Sequence, residues 1–153
     1  MTEVFKLKKF NFQYDNILEF KKKNENAVVN RLSNSIYELE QASDTLNEFL
    51  VYKSSSYENM NQLMLEGTEV LKIKSYSSFI HSLNNRIDNQ KSLIEACNTK
   101  IERIRQELLH ISKEVKIFEK LKDNHRVEYE YDEKKEEENF VDQLVTYKSY
   151  LSK

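Results

Sequence analysis

Across 153 residues the chain has no proline and one glycine, Gly67. No other feature narrows its possible folds as much. Average usage of ~5% and ~7% would place roughly eight prolines and eleven glycines in a chain of this length. Proline ends helices and glycine supplies positive φ, so with both nearly missing the chain has few ways to turn. A sheet with many tight turns is therefore excluded, and long uninterrupted helices are expected. Charged residues at 33%, hydrophobic residues at 39% and no tryptophan suit helices with one buried stripe better than a thick globular core.

The stripe is visible in the second half. Tyr76, Ile80, Leu83, Ile87, Gln90, Ile94, Cys97, Ile101, Ile104, Leu108, Ile111, Val115 and Phe118 recur at alternating steps of four and three. This is a sustained heptad, the pattern of a coiled-coil seam. Beyond Phe118 it weakens through Lys122, His125 and Tyr129. A second stripe is read earlier at Val29, Leu32, Ile36, Leu39, Ser43, Leu46, Leu50, Lys53, Tyr57, Met60 and Met64.

Between the stripes stands "LEGTEVLKIKSYS". Gly67 is a helix C-terminal signal, and Ser75 or Ser77 is a candidate cap for the next helix. A connection this short makes the helices antiparallel neighbours. The expectation is an all-α fold: one domain over 1–153, a long antiparallel two-helix coiled-coil hairpin. Helix one is placed at about 12–65, the turn at about 66–75 and helix two at about 75–151, with arms of ~80 and ~115 Å. A capping box from Ser55 to Glu58 predicts a kink in helix one.

Much chemistry is excluded. With one glycine there is no Walker A loop, dinucleotide fingerprint or nucleophile elbow. His81, His110 and His125 would stand ~44 and ~22 Å apart along one helix, too far to share an ion. Cys97 on the seam reads as a small hydrophobe, and Gln90 as a polar group that fixes register. No catalytic residue, cofactor or metal site is expected, and the chain reads as a non-enzyme. A net charge of −2 gives no nucleic-acid footprint. The longest apolar run, Phe49 to Tyr52, falls far short of the ~20 residues of a membrane helix. "MTEVFKLKKF" lacks the apolar core of a secretory signal. A cytoplasmic protein with no direct membrane insertion is expected.

Residues 1–23 carry a balance of +3 and residues 128–142 a balance of −6. The hairpin would bring both to one end, where opposite charge favours closing the arms. The acidic run itself, "EYEYDEKKEEENF", reads as a solvated face. Phe10, Phe12 and Tyr14 alternate ahead of helix one and are read as an extended lead-in that tucks its aromatics onto the hairpin.

Three stretches carry a family resemblance. "FNFQYDNILEFKKKNENAVVNRL", "KSYSSFIHSLNNRI" and "KIFEKLKDNHRVEYEYDEKKEEENFVDQL" resemble, in order, the N-terminal signature, second-helix start and C-terminal helix of the FliJ family. The resemblance implies a soluble component of the bacterial flagellar type III export apparatus, peripheral at the cytoplasmic face of the membrane at the flagellar base. Its implied partners are the hexameric FliI-type export ATPase, the export gate protein FlhA and export chaperones. It further implies a gate-contacting surface near the turn, onto which Gln41, Tyr52, Phe79 and Leu83 map. Phe79 flanks the seam at a g position, and Tyr52 is placed on the outer face of helix one. The competing reading is a structural coiled-coil scaffold or dimerising rod with no ATPase partner.

Overall fold

A computed structural model describes residues 9–67 and 69–151. Two helices, α1 (Asp15–Leu65) and α2 (Val70–Leu151), account for nearly all of them. They pack as an antiparallel pair, with no strand among the described residues. The antiparallel sense is visible in two ion pairs, Arg31 with Glu107 and Glu38 with Lys100, where numbers rise on one helix as they fall on the other.

The turn is shorter than expected. α1 ends at Leu65 as read from the sequence, but α2 begins at Val70, five residues before the expected start. Gly67 adopts φ of 70°, the left-handed conformation of a helix C-terminal glycine, and its N–H donates to the Met64 carbonyl. That single residue reverses the chain. "VLKIK" then contains no breaker, and the Lys72 N–H already donates to the Glu69 carbonyl, so no serine cap is needed. The capping box is also overruled. α1 runs through Ser55, whose hydroxyl donates back to the Val51 carbonyl at 3.0 Å instead of capping a new helix.

The chain divides into two compact units, residues 27–108 and residues 1–26 with 109–153. In the first, every seam position read for α2 from Tyr76 to Leu108 is buried or half-buried. The α1 stripe is corrected. Leu32, Leu39, Leu46, Lys53 and Met60 stand on the seam, but the alternate places belong to Val28, Ser35, Ala42, Phe49, Ser56 and Leu63. Val29, Ile36, Leu50, Tyr57 and Met64 lie one position round the helix and are exposed, while Ser43 is half-buried.

The physical reason is fit. The two ion pairs bracket the seam and set Leu32 and Ser35 across from Ile104 and Ile101. By the same register Ala42 faces Ile94 and Ser56 faces Ile80. At these three levels a small residue on α1 complements an isoleucine on α2, so serine and alanine pack there in place of their larger neighbours, while at other levels large residues meet, as Leu32 does Ile104. The buried Ser56 hydroxyl is satisfied by the Tyr52 carbonyl at 2.7 Å. Gln90, the polar seam residue of α2, donates its side-chain amide to the Ala42 carbonyl at 2.8 Å.

The second unit is built on aromatics. Phe12 is buried, and its ring meets Tyr14 at 5.7 Å and His125 at 5.6 Å. Tyr14 reaches Phe118, and Phe10 packs on Tyr129 at 5.6 Å. The lead-in therefore lays its alternating aromatics along α2, as the sequence suggested. Lys21 and Lys122 stand over the Phe118 and Phe12 rings, covering apolar faces while their charges pair elsewhere.

Ion pairs join Lys21 to Glu114, Lys22 to Glu119 and Lys122 to Asp15. They sit upstream of the acidic run, and Lys6 and Lys8 of the basic segment lie outside the described residues. The Lys21 hydrogen bond holds the Glu114 carboxyl below its ordinary pKa, and the Glu119 bond raises that of Lys22. Tyr129 donates its hydroxyl to Glu133 at 2.6 Å, which pushes its pKa up to about 12. From Lys134 onward every described side chain of α2 is exposed.

Candidate partner-binding surface

Two helices that bury one seam leave two edges, and the edge rows of a heptad decide what each can bind. One edge of the 27–108 unit is formed by the g row of both helices. Arg31–Glu107 and Glu38–Lys100 lie on it, at 2.5 and 2.6 Å, with all four side chains about half exposed. Exposed pairs of this kind contribute ~0–1 kcal/mol each, so they serve alignment more than stability. Each step of seven along α1 is matched by seven back along α2. Continued toward the turn, the rule sets Thr45 level with Leu93, Tyr52 with Arg86, and Asn59 with Phe79.

The charged part of this edge therefore gives way to a part with large apolar side chains. Tyr52 is 57% exposed, Phe79 48% and Leu93 50%. The Tyr52 carbonyl is tied to Ser56, but its ring stands outside the seam. Of the four residues singled out from the sequence, Tyr52 and Phe79 share this edge, one heptad apart in level. Gln41 is exposed on the adjoining outer row, one turn before Thr45, whose hydroxyl donates to the Gln41 carbonyl at 3.0 Å. Leu83 is different: at 3% exposure it is a seam residue beneath the edge. It supports the backbone that presents Phe79 and does not itself reach the surface.

Leu93 was missed in the sequence. Its signal was available, since it stands two heptads after Phe79 and holds the same g position. Arg86, between them, supplies a cation with a long apolar stem, so the edge reads aromatic, cationic and aliphatic. Such a mixture suits protein recognition, where aromatic residues and arginine are over-represented as anchors.

Among the described residues no three histidine, cysteine or carboxylate side chains gather as a metal site. His81 and His110 are exposed, and His125 sits on the seam against Phe12. Cys97 is a free, half-buried thiol on the seam. Among the described residues no helix is long and apolar enough to cross a membrane.

Comparison with known proteins identifies one family. The family model described as flagellar FliJ protein matches residues 10–152. A flagellar FliJ protein of Bacillus subtilis (strain 168) is 23% identical over 114 residues, covering 74% of this chain and 78% of that protein. No solved structure matches.

Proposed function

The chain belongs to the FliJ family, whose members are components of the flagellar export apparatus, and on that premise we propose that it is a non-catalytic adaptor of that machinery. It engages the FliI-type export ATPase ring and the export gate protein FlhA, and assists delivery of chaperones and their cargo. It works at the cytoplasmic face of the membrane at the flagellar base, held there by protein partners.

One observation supports the gate contact above others. Tyr52, Phe79 and Leu93 stand on one edge of a rigid two-helix unit, half in water, where the fold has no need of them. Phe79 and Tyr52 are the anchors, Gln41 adds a polar contact beside them, and Leu83 fixes Phe79 from below. An edge of this kind needs no rearrangement to bind, so the ordering cost on association is low.

The test uses the full chain and the purified cytoplasmic domain of FlhA. Phe79→Ala combined with Tyr52→Ala removes exposed rings, so helicity and melting should stay close to wild type. Losing one or two anchors of ~2 kcal/mol each weakens binding by tens-fold or more. Wild-type affinity in the double variant would remove these aromatics from the gate contact. Failure of the native chain to capture the ATPase from lysate would favour a structural rod instead.

A further inference from the structure

Past Tyr129 the chemistry of α2 changes, and it changes by face. At about 100° per residue, Tyr129, Glu133, Glu136, Phe140, Leu144, Tyr147 and Leu151 fall on the side of the helix that carries Phe118, Lys122 and His125. This side is acidic first, with Asp132 beside Glu133 and Glu136, and then apolar. Lys134 and Lys135, the bases of the run, fall on the far side. Phe140, Leu144, Tyr147 and Leu151 are 46–68% exposed. α1 starts at Asp15, which is paired with Lys122, so this stretch of α2 extends beyond it.

We propose that residues 1–8, which lie outside the described residues, occupy this face as an extended continuation of the lead-in. Lys8 and Lys6 are set against Glu133 and Glu136, and Val4 against Phe140 and Leu144, with Phe5 at their margin. Three observations select that occupant. The first is direction. Tyr14 reaches Phe118, Phe12 reaches Lys122 and His125, and Phe10 packs on Tyr129. Lys9, Asn11 and Gln13, between them, are exposed. The lead-in therefore already runs along this side of α2 with its even-numbered side chains turned inward, and it is headed for the acidic stretch.

The second is register. An extended chain advances ~3.3 Å per residue and a helix 1.5 Å, so two residues of lead-in cover about four of α2. Counted from Phe10 at Tyr129, Lys8 comes level with Glu133, Lys6 with the step from Glu136 to Phe140, and Val4 with the step from Phe140 to Leu144. On the phase set by Phe10, Phe12 and Tyr14, all three turn inward, and Glu3 turns away. Residues 1–8 span ~26 Å at this rise, enough to follow the face past Leu144.

The third is charge. Read back from Phe10, the segment is basic at Lys8 and Lys6 and then apolar at Phe5 and Val4. The face of α2 is acidic and then apolar in the same order, so one alignment satisfies both the charges and the apolar groups. Complementary charge in this order fixes register and disfavours a shifted alignment, which would set lysine on Phe140. The contact lies wholly within the unit of residues 1–26 and 109–153 and does not depend on the gate-binding edge.

The experiment is mild oxidation of the full chain at high dilution in a Cys97→Ser background, with paired cysteines linked within one chain and read on a non-reducing gel. Val4→Cys with Gln143→Cys, on the proposed face, should link at least ~10-fold faster than Val4→Cys with Val145→Cys, at nearly the same level but on the far side of the helix. Lys6→Glu combined with Lys8→Glu should slow the first link about 10-fold, and adding Asp132→Lys with Glu136→Lys should restore it. Raising the salt concentration should slow it in the parent pair as well, since these charges face solvent. Equal linking at Gln143 and Val145 would overturn the proposal. So would a rate indifferent to the reversed lysines, or a doubly reversed chain that stays as slow as the singly reversed one.

Discussion

Replacing Ala42 with leucine tests the seam register of α1 directly. Ala42 is buried across from Ile94, and its carbonyl accepts the Gln90 amide at 2.8 Å. Three added carbons have nowhere to go. Overpacking of this kind costs about 1–3 kcal/mol, and pushing the helices apart forfeits a hydrogen bond worth about 0.5–1.5 kcal/mol. The sum, on the order of 2–4 kcal/mol, lowers the melting temperature by roughly 5–15 °C in a chain of this size. Ser43→Leu is the control. It adds bulk one position further round, at a half-buried place where the sequence stripe had put the seam, and should cost less than Ala42→Leu. Both variants are read by circular dichroism melting at high dilution. A larger loss in Ser43→Leu than in Ala42→Leu would show that the sequence register was right and the structural one wrong.

Three further outcomes are expected. Phe12→Ala, at a ring buried among Tyr14 and His125, should cost about 3–5 kcal/mol of local stability and raise hydrogen exchange in residues 9–26 and 109–129, with protection between 27 and 108 retained. Tyr129 favours its protonated form, so its contribution to stability is complete below the ordinary tyrosine value near 10 and is lost as pH rises from 10 through about 12; Tyr129→Phe should flatten that loss in alkaline melting curves. Glu114 has the opposite sense: its contribution is present above the ordinary carboxylate value of 4.5 and disappears as pH falls through the lowered one, and Glu114→Gln should remove that acid dependence.

α2 was legible because its seam residues are also its large ones. Isoleucine and leucine fill eight of the thirteen places from Tyr76 to Phe118, so the hydrophobic period and the packing period coincide. α1 was legible only at alternate places. Reading by size chose Val29, Ile36, Leu50, Tyr57 and Met64, whereas the packing against α2 required Val28, Ser35, Ala42, Phe49, Ser56 and Leu63. Serine and alanine emit no hydrophobic signal, so nothing in a single sequence marks Ser35 as among the most buried residues of the helix. The turn was misjudged for a related reason: Ser75 and Ser77 look like caps, yet a positive φ at Gly67 had already reversed the chain.

The exposed edges follow from the same asymmetry. A two-stranded seam consumes about one apolar face per helix, and α2 between Tyr76 and Leu108 has little more than that to offer. α1 has a surplus, and the seam decides where it goes. Had Ile36 and Leu50 been drawn inward, the outer side of α1 would carry fewer apolar groups, chiefly Tyr37, Val51 and Leu65. Because Ser35 and Ala42 take those places, the larger residues are turned outward in a row and a second surface appears. An attractive feature of this arrangement is that it can be separated experimentally. Ala42→Leu acts on the seam, Phe79→Ala on one edge and Ile36→Glu on the other, and the sites have no side chain in common. Their effects should therefore be independent: Ala42→Leu lowers melting, Phe79→Ala weakens gate binding, and Ile36→Glu leaves both close to wild type. Loss of gate binding in Ala42→Leu would mean that the edge responds to the seam, and Gln90, bonded across it to Ala42, would be the first residue to alter.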